Sequence, residues 1–432
     1  MKTEIFFDSS LKIDKEESAL YRINKERLMS AIMTSAENGT LPKGGLCRLA
    51  LSEEDQRIRD LFKDWMKEER LDVRIDDAGN MYGRRQGKNK DALPVVIGSH
   101  LDTQRVGGKY DGVLGVMGAL EAVRTLNDYG IETERPIEIV NFTNEEGARF
   151  LPSMLGSGIV ANAITYEETE KIRDKDQLKF ADELKKIGYR GSAENRLKEL
   201  YCYAELHIEQ GPVLEANNRN IGIVTGIQGI STLEVVITGR TSHAGTTPIE
   251  NRNDAMLTAA KMIQTVYMSY ERYPGSLLTI GQIQSLPNVT NSLAGQVVFS
   301  IDIRHPEDPV RQLITKELKE KLSTMALIDK MNLHIKDLME VKAETFSTDI
   351  VKEIQSAANR LGCSSMKVIS GAGHDAKFMN QMAPAGMIFI PRIGGVSHCE
   401  EEYSTEEDIE KGVQILFELA LRFADRKEKI QR

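Results

Sequence analysis

The chain has 432 residues, 41% of them hydrophobic and 28% charged, and carries a formal net charge of −9. That balance suits a globular protein long enough for two domains and excludes an intrinsically disordered one. The acidic sign and the lack of any Lys/Arg cluster argue against nucleic acid as a partner. No uncharged apolar run approaches the ~18 residues of a membrane span, so a soluble cytoplasmic protein without signal peptide or membrane contact is expected.

Residues 20 to 70 read as helical, with mixed polar and apolar periodicity through INKERLMSAIM and EEDQRIRDLFKDWMKEE. VRIDDAGNMYGRRQG reads as strand, and LPVVIGSH as a buried strand. GVLGVMGALEAVRTLNDYG places apolar residues at helical spacing and ends on Gly130, a helix-stop signal; PIEIVNFTNEE is the next strand. This strand–helix–strand order predicts a right-handed parallel crossover in a doubly wound, mainly parallel α/β sheet. Between about 225 and 336 the order changes to TLEVVITGR, a helix from NDAMLTAAKM, strands SLLTIGQIQ and GQVVFSIDIRHP, a helix from PVRQLITKEL, and strand NLHIKDLMEV. That βαββαβ order predicts an inserted, ferredoxin-like module of the split βαβ type at 225–336. The main domain would then be discontinuous, 1–224 and 337–432, resuming with helix TDIVKEIQSAANRLG, strand GMIFIP and a helix from Glu406.

Four metal-ligand side chains follow short apolar runs: His100 after PVVIGS, Glu146 after IEIVNFTNE, His207 after YCYAEL and His398 after GMIFIPRIGGVS. Asp111 lies in the Gly-rich loop after His100. Ligands of open α/β sheets collect outside the carboxyl ends of parallel strands, so one shared crevice is expected. Three imidazoles and two carboxylates there read as a divalent metal site holding two ions. Cys47, Cys202, Cys363 and Cys399 are scattered without a C-x-x-C pair, so nitrogen and oxygen must do the ligation.

Asp102, two residues after His100, is expected to hold that imidazole's other N–H. Of Glu145 and Glu146, adjacent before Gly147, one can ligate while the other acts as base. Gln210 can both donate to and accept from an amide-like substrate. Arg304, with Asn291, is placed to read a carboxylate through a charged fork. His243 and His374 sit in loops where an ordinary structural role is the default, and His305 and His334 are read as surface or structural. The glycines at 112, 115 and 118 form neither G-x-G-x-x-G nor G-K-[ST], which excludes a nucleotide fingerprint.

Seven motifs, G-S-H-L-D-T-Q, G-G-K-Y-D-G, N-E-E-G-A-R-F, E-L-H-I-E-Q-G-P, S-H-A-G-T-T-P, S-G-A-G-H-D-A and G-V-S-H, together resemble the hydantoinase/carbamoylase family of binuclear metal amidohydrolases. The resemblance runs from about residue 48 to 404 and includes N-carbamoyl-L-amino acid hydrolases, β-ureidopropionases and allantoate amidohydrolases. It implies two divalent ions (Zn, or Mn, Co or Ni) held by His100, Asp111, Glu146, His207 and His398, with Asp111 bridging. It further implies Glu145 as general base, His243 as transition-state stabiliser given across a dimer interface, and Gln210, Asn291, Arg304 and His374 as substrate contacts. A homodimer through the inserted lid and dimerisation domain follows, with closure needed for activity. Cys399 departs from the family, where Asn more often follows this His. The expected substrate is a small N-carbamoyl (ureido) compound; allantoate, an aminoacylase or dipeptidase activity, and a non-catalytic metal-binding assembly role are the alternatives. The last expects a missing ligand or base, and none is missing.

Overall fold

The computed structural model describes residues 21–395 and 397–431. The opening residues, read above as lacking a signal peptide, lie outside that range. The apolar run Val95–His100 forms a strand with every residue buried, as a strand covered on both faces must be. Numbered along the chain, the first strands are β1 (Asp72–Ile75), β2 (Met81–Arg85), β3 (Val95–His100), β4 (Ile137–Phe142), β5 (Cys202–Ile208) and β6 (Ile221–Ile227). Then come β7 (Gly229–Thr238), β8 (Leu277–Thr279), β9 (Ile283–Leu286), β10 (Gln296–His305) and β11 (Asn332–Val341), followed by β12 (Glu344–Thr345), β13 (Ser365–Ser370) and β14 (Ala385–Ile390).

The larger sheet has the order β1-β2-β4-β3-β5-β14-β6-β12, with β13 also on β6. Its centre, β4-β3-β5-β14, is parallel, while β1, β2, β6 and β12 pair antiparallel on the flanks. The architecture is therefore mixed α/β, with the parallel strands where the site residues lie. Helix Val113–Asp128 connects β3 to β4 and is buried along most of its length. Helix Glu406–Asp425 packs on it; its buried Ile409, Val413, Leu416, Ala420 and Phe423 recur at helical spacing.

The chain divides into two compact units, one running to Thr225 and resuming at Phe346, the other Gly226–Thr345. In the second, β7 and β10 bury alternate residues, the signature of a sheet covered on one face. Its order is β11-β7-β10-β8 with β9 also on β10, all pairs antiparallel. Helices Ala255–Met268 and Asp308–Ile328 bring Ala259, Met262, Val266, Ile314, Leu318 and Leu322 into one core with Leu233, Val235, Phe299 and Ile301. The two crossing points between units are neighbours: the Phe346 N–H donates to the Thr225 carbonyl at 3.0 Å, and Thr345 is in register with Gly226. No helix among the described residues is long and apolar enough to cross a membrane.

Three local expectations are corrected. The helical stretch at 20 to 70 is two helices, Lys25–Ala36 and Glu53–Glu68, because Gly39, Pro42, Gly44 and Gly45 interrupt it. SLLTIGQIQ is two short strands, β8 and β9, separated around Gly281 and both paired to β10. The second unit ends at Thr345 rather than 336, since β11 runs unbroken across that position.

Candidate metal centre

His100 closes β3 and His207 lies one residue from the end of β5, so adjacent parallel strands bring the two rings to 6.0 Å between centroids. Each Nδ1 faces a backbone carbonyl at 2.9 Å, of Asp102 for His100 and of Ile208 for His207. A carbonyl only accepts, so in each ring Nδ1 carries a proton and Nε2 is the nitrogen turned towards the site. Both Nε2 atoms face one carboxylate oxygen: Asp111 Oδ1 is 3.1 Å from His207 Nε2 and 3.7 Å from His100 Nε2. The turn that delivers Asp111 needs glycine next. Gly112 has φ +67°, and a Cβ there would lie 2.3 Å from the His100 ring.

The other oxygen of Asp111 faces a second set. Its Oδ2 is 3.7 Å from His398 Nε2, which is also 3.6 Å from Glu146 Oε2. Two ligand triads thus share Asp111: His100, Asp111 and His207, and Asp111, Glu146 and His398, each spanning no more than 4.8 Å. Glu205, His207 and His374 form a third group at the same spacing. Beside the first triad, Glu145 Oε2 is 3.5 Å from His100 Nε2.

The donor set fits divalent cations. His100 Nε2 is buried with no hydrogen-bond partner, and acids crowd round it without a basic side chain among the ligands. Burial, then the charges of Asp375, Glu146, Asp102 and Asp111, pushes Glu145 well above the usual carboxylate range; burial, then Asp111 and Asp102, does the same to Glu146. For Asp111 burial acts upward, but His207, His100 and His398 outweigh it and hold the carboxyl low. Burial takes His100 down to about 4, whereas for His207 the burial penalty is outweighed by Asp111 and Glu205 and the ring rises to about 9.

Asp102 does a different job from the one expected. Its peptide carbonyl, not its carboxylate, takes the His100 Nδ1–H, and carboxylate Oδ1 stays 3.9 Å from that nitrogen. The carboxylate instead accepts the backbone N–H groups of Glu145 at 3.2 Å and Glu146 at 3.3 Å. The cause is the parallel pairing of β3 and β4, which sets the loop after His100 beside the turn after Phe142.

Gln210, at φ +57°, donates from Nε2 to Asp111 Oδ2 at 2.7 Å, and its Oε1 is a buried acceptor without a partner. His374 is buried with its ring 4.5 Å from that of His207 and its Nε2 3.0 Å from Ser370 Oγ. His243, Asn291 and Arg304 belong to the second unit. There the Ala244 N–H donates to the Asn291 carbonyl at 2.9 Å, and His243 Nδ1 accepts from the amides of Gly245 at 3.1 Å and Thr246 at 3.2 Å. The neutral His243 ring therefore carries its proton on Nε2. Arg304 Nε donates to Asp302 Oδ1 at 2.7 Å. His305 is buried and His334 exposed.

Sequence reasoning missed Gln104, whose side chain and backbone both reach Glu146, and Glu205, a buried acid accepting from Ser99 Oγ at 2.7 Å and the Ala376 amide at 3.0 Å. Glu205 had a signal, an acid inside the otherwise apolar strand CYAELHI; Gln104 had none. Buried Asp375 and Glu402 were also passed over.

The family model "Peptidase family M20/M25/M40" matches residues 96–422, and the chain belongs to that family. It is a hydrolase, and its whole-chain likeness lies among the amidohydrolases. Over 411 residues it is 43% identical to the N-carbamoyl-L-amino-acid amidohydrolase of Rhizobium meliloti, covering 94% of this chain and 97% of that one. The solved structure of an amidase of the hydantoinase/carbamoylase family from Burkholderia multivorans is similar at TM-score 0.90 and 40% identity, over 94% of this chain and 99% of that one. The allantoate amidohydrolase of Bacillus subtilis is 32% identical over 403 residues, 93% of this chain and 98% of that one.

Proposed function

We propose that the protein is a cytoplasmic amidohydrolase that cleaves the carbamoyl C–N bond of N-carbamoyl-L-amino acids or N-carbamoyl-β-alanine, releasing the amino acid, carbon dioxide and ammonia. The observation that carries this reading is the pair of ligand triads sharing Asp111, with Glu145 alongside. On this reading His100, Asp111 and His207 hold one divalent ion and Asp111, Glu146 and His398 a second, of Zn, Mn, Co or Ni. When bound, the ions supply Lewis acidity, which brings the pKa of water from roughly 16 towards ~7 and polarises a carbonyl.

The chain's own groups do the rest. Glu145, anchored through its amide to Asp102, takes a proton from the attacking water and returns it to the leaving nitrogen. The orphaned Gln210 Oε1 accepts from the ureido NH2 of the substrate. His243, with its proton on Nε2, donates to the developing oxyanion. Arg304 and Asn291 take the substrate carboxylate. His374, packed on the ring of His207, is a substrate contact. The second unit, whose sheet places β11 beside β7 and β10 between β7 and β8, is read as a ferredoxin-like lid and homodimerisation module.

An ammonia-release panel tests the reading: chelator-stripped protein reloaded with each metal and offered N-carbamoyl-L-amino acids, N-carbamoyl-β-alanine, allantoate and N-acetyl amino acids. Ammonia from the carbamoyl amino acids is the expected result. Release from allantoate alone would transfer the assignment to the activity named for the Bacillus subtilis relative.

A further inference from the structure

The two halves of the centre are built to different standards. In the first triad His100, Asp111 and His207 are all buried, and both rings are fixed by backbone carbonyls. In the second, the His398 side chain is 48% exposed, its backbone has φ +56°, and among the described residues the neutral side chain its ring nitrogen meets is that of Gln210, 3.4 Å away. Such a ligand is weakly preorganised, so the second position depends on how firmly its other unshared ligand, Glu146, is held.

Glu146 is held from both sides by one residue. The Gln104 backbone N–H donates to Oε1 at 3.2 Å, and the Gln104 side-chain Nε2 donates to Oε2 at 2.8 Å. The Glu146 amide is meanwhile tied to Asp102 Oδ2, two residues before Gln104 in the same loop. Both rotations that would swing the carboxylate away from Asp111 and His398 are therefore opposed by a single four-residue stretch after β3.

We propose that Gln104 is a positioning residue that sets the occupancy of the second metal position by clamping both oxygens of Glu146. The proposal rests on the reading of Glu146 as a ligand. Gln104 contacts neither ion nor substrate in this role; it fixes which lone pairs of Glu146 point at the site, the kind of support whose loss typically weakens metal affinity about 10–100-fold. Because the clamp acts on one triad, the two positions should separate when it is removed.

The test titrates chelator-stripped full-length protein with Zn2+ alone in a calorimeter, comparing wild type, Gln104→Leu, Gln104→Met and Glu146→Ala. Each Gln104 variant should weaken the weaker binding step about 10–100-fold and leave the tighter step unchanged. Turnover of an N-carbamoyl-L-amino acid by these variants should be low at limiting Zn2+ and recover in excess, and the metal-free melting temperature should stay at the wild-type value. Gln104→Met is the fallback if Gln104→Leu does not fold. If the Gln104 variants titrate like wild type while Glu146→Ala loses the weaker step, the clamp is refuted and the ligand reading stands. If both steps weaken together with a drop in metal-free melting, Gln104 is merely structural and the proposal fails. Two unchanged steps in Glu146→Ala would remove the ligand reading itself.

Discussion

Glu145 and Glu146 are neighbours in sequence with separate fates in space, one near His100 Nε2 and the other near His398 Nε2. That separation makes their substitutions diagnostic. Glu145→Gln removes a proton acceptor and no ligand of either triad, so turnover should fall about 10²–10⁴-fold while metal content, measured by elemental analysis, stays at the wild-type level. Unchanged turnover would dismiss the proton-transfer role. Asp102→Asn leaves one acceptor oxygen where two amides now find one each, and it sets an NH2 against a backbone N–H. It should destabilise the protein by about 1–3 kcal/mol, read from denaturant midpoints in the metal-free state. Gly112→Ala combines a positive φ with a collision on the His100 ring, and should cost about 1–3 kcal/mol from backbone strain alone while lowering Zn2+ affinity at the buried triad. A normal titration of that variant would show that the His100 ring can move aside.

At the level of elements, the turn between β1 and β2 carries a pH dependence of its own. Asp76 accepts from the amides of Ala78 and Asn80, the Asn80 side chain and the Tyr82 hydroxyl. Burial nonetheless pushes its carboxyl up to about 6, against donors from Asn80 and Tyr82 that offset part of the rise. A folded value above the unfolded ~3.9 means that its contribution is complete below about pH 4 and lost as pH climbs through about 6. Asp76→Asn has no such loss, so the stability gap between wild type and variant should be widest near about pH 4 and narrower at about pH 7. A gap constant with pH, in urea titrations across this range, would rule that out. The same turn shows what a sequence reveals and what it hides. Runs such as PVVIGS and IEIVNF announce buried strands because a mostly apolar stretch needs two covered faces, and the residues just past them fall at the strand ends where a crevice forms. The target of Asp102 was hidden, because its partners lie 43 and 44 positions away and are chosen by the register of β3 on β4. Gln104 was hidden for the same reason. β13, half exposed and without alternation clean enough to stand out, also escaped notice.

For the molecule as a whole, the five proposed ligand side chains converge from distant stretches, and without a cation the charge of Asp111 adds to burial in raising Glu146. Chelation should therefore lower the melting temperature, and adding Zn2+ or Mn2+ should restore it in proportion to the logarithm of free metal, as expected for a ligand bound only by the folded state. A melting temperature indifferent to chelator would mean that the acids are content without cations. The doubled crossing at Thr225 and Phe346 has a different consequence. Since outgoing and returning chains run side by side, hydrogen-bonded across one strand spacing, a tight reverse turn could splice Thr225 to Phe346 and delete everything between. The abridged polypeptide would keep the five proposed ligands and Glu145 yet lose His243, Asn291 and Arg304. It would be the proposed metal scaffold with the inserted cassette unplugged, able to report how much of the proposed chemistry survives on the first unit alone.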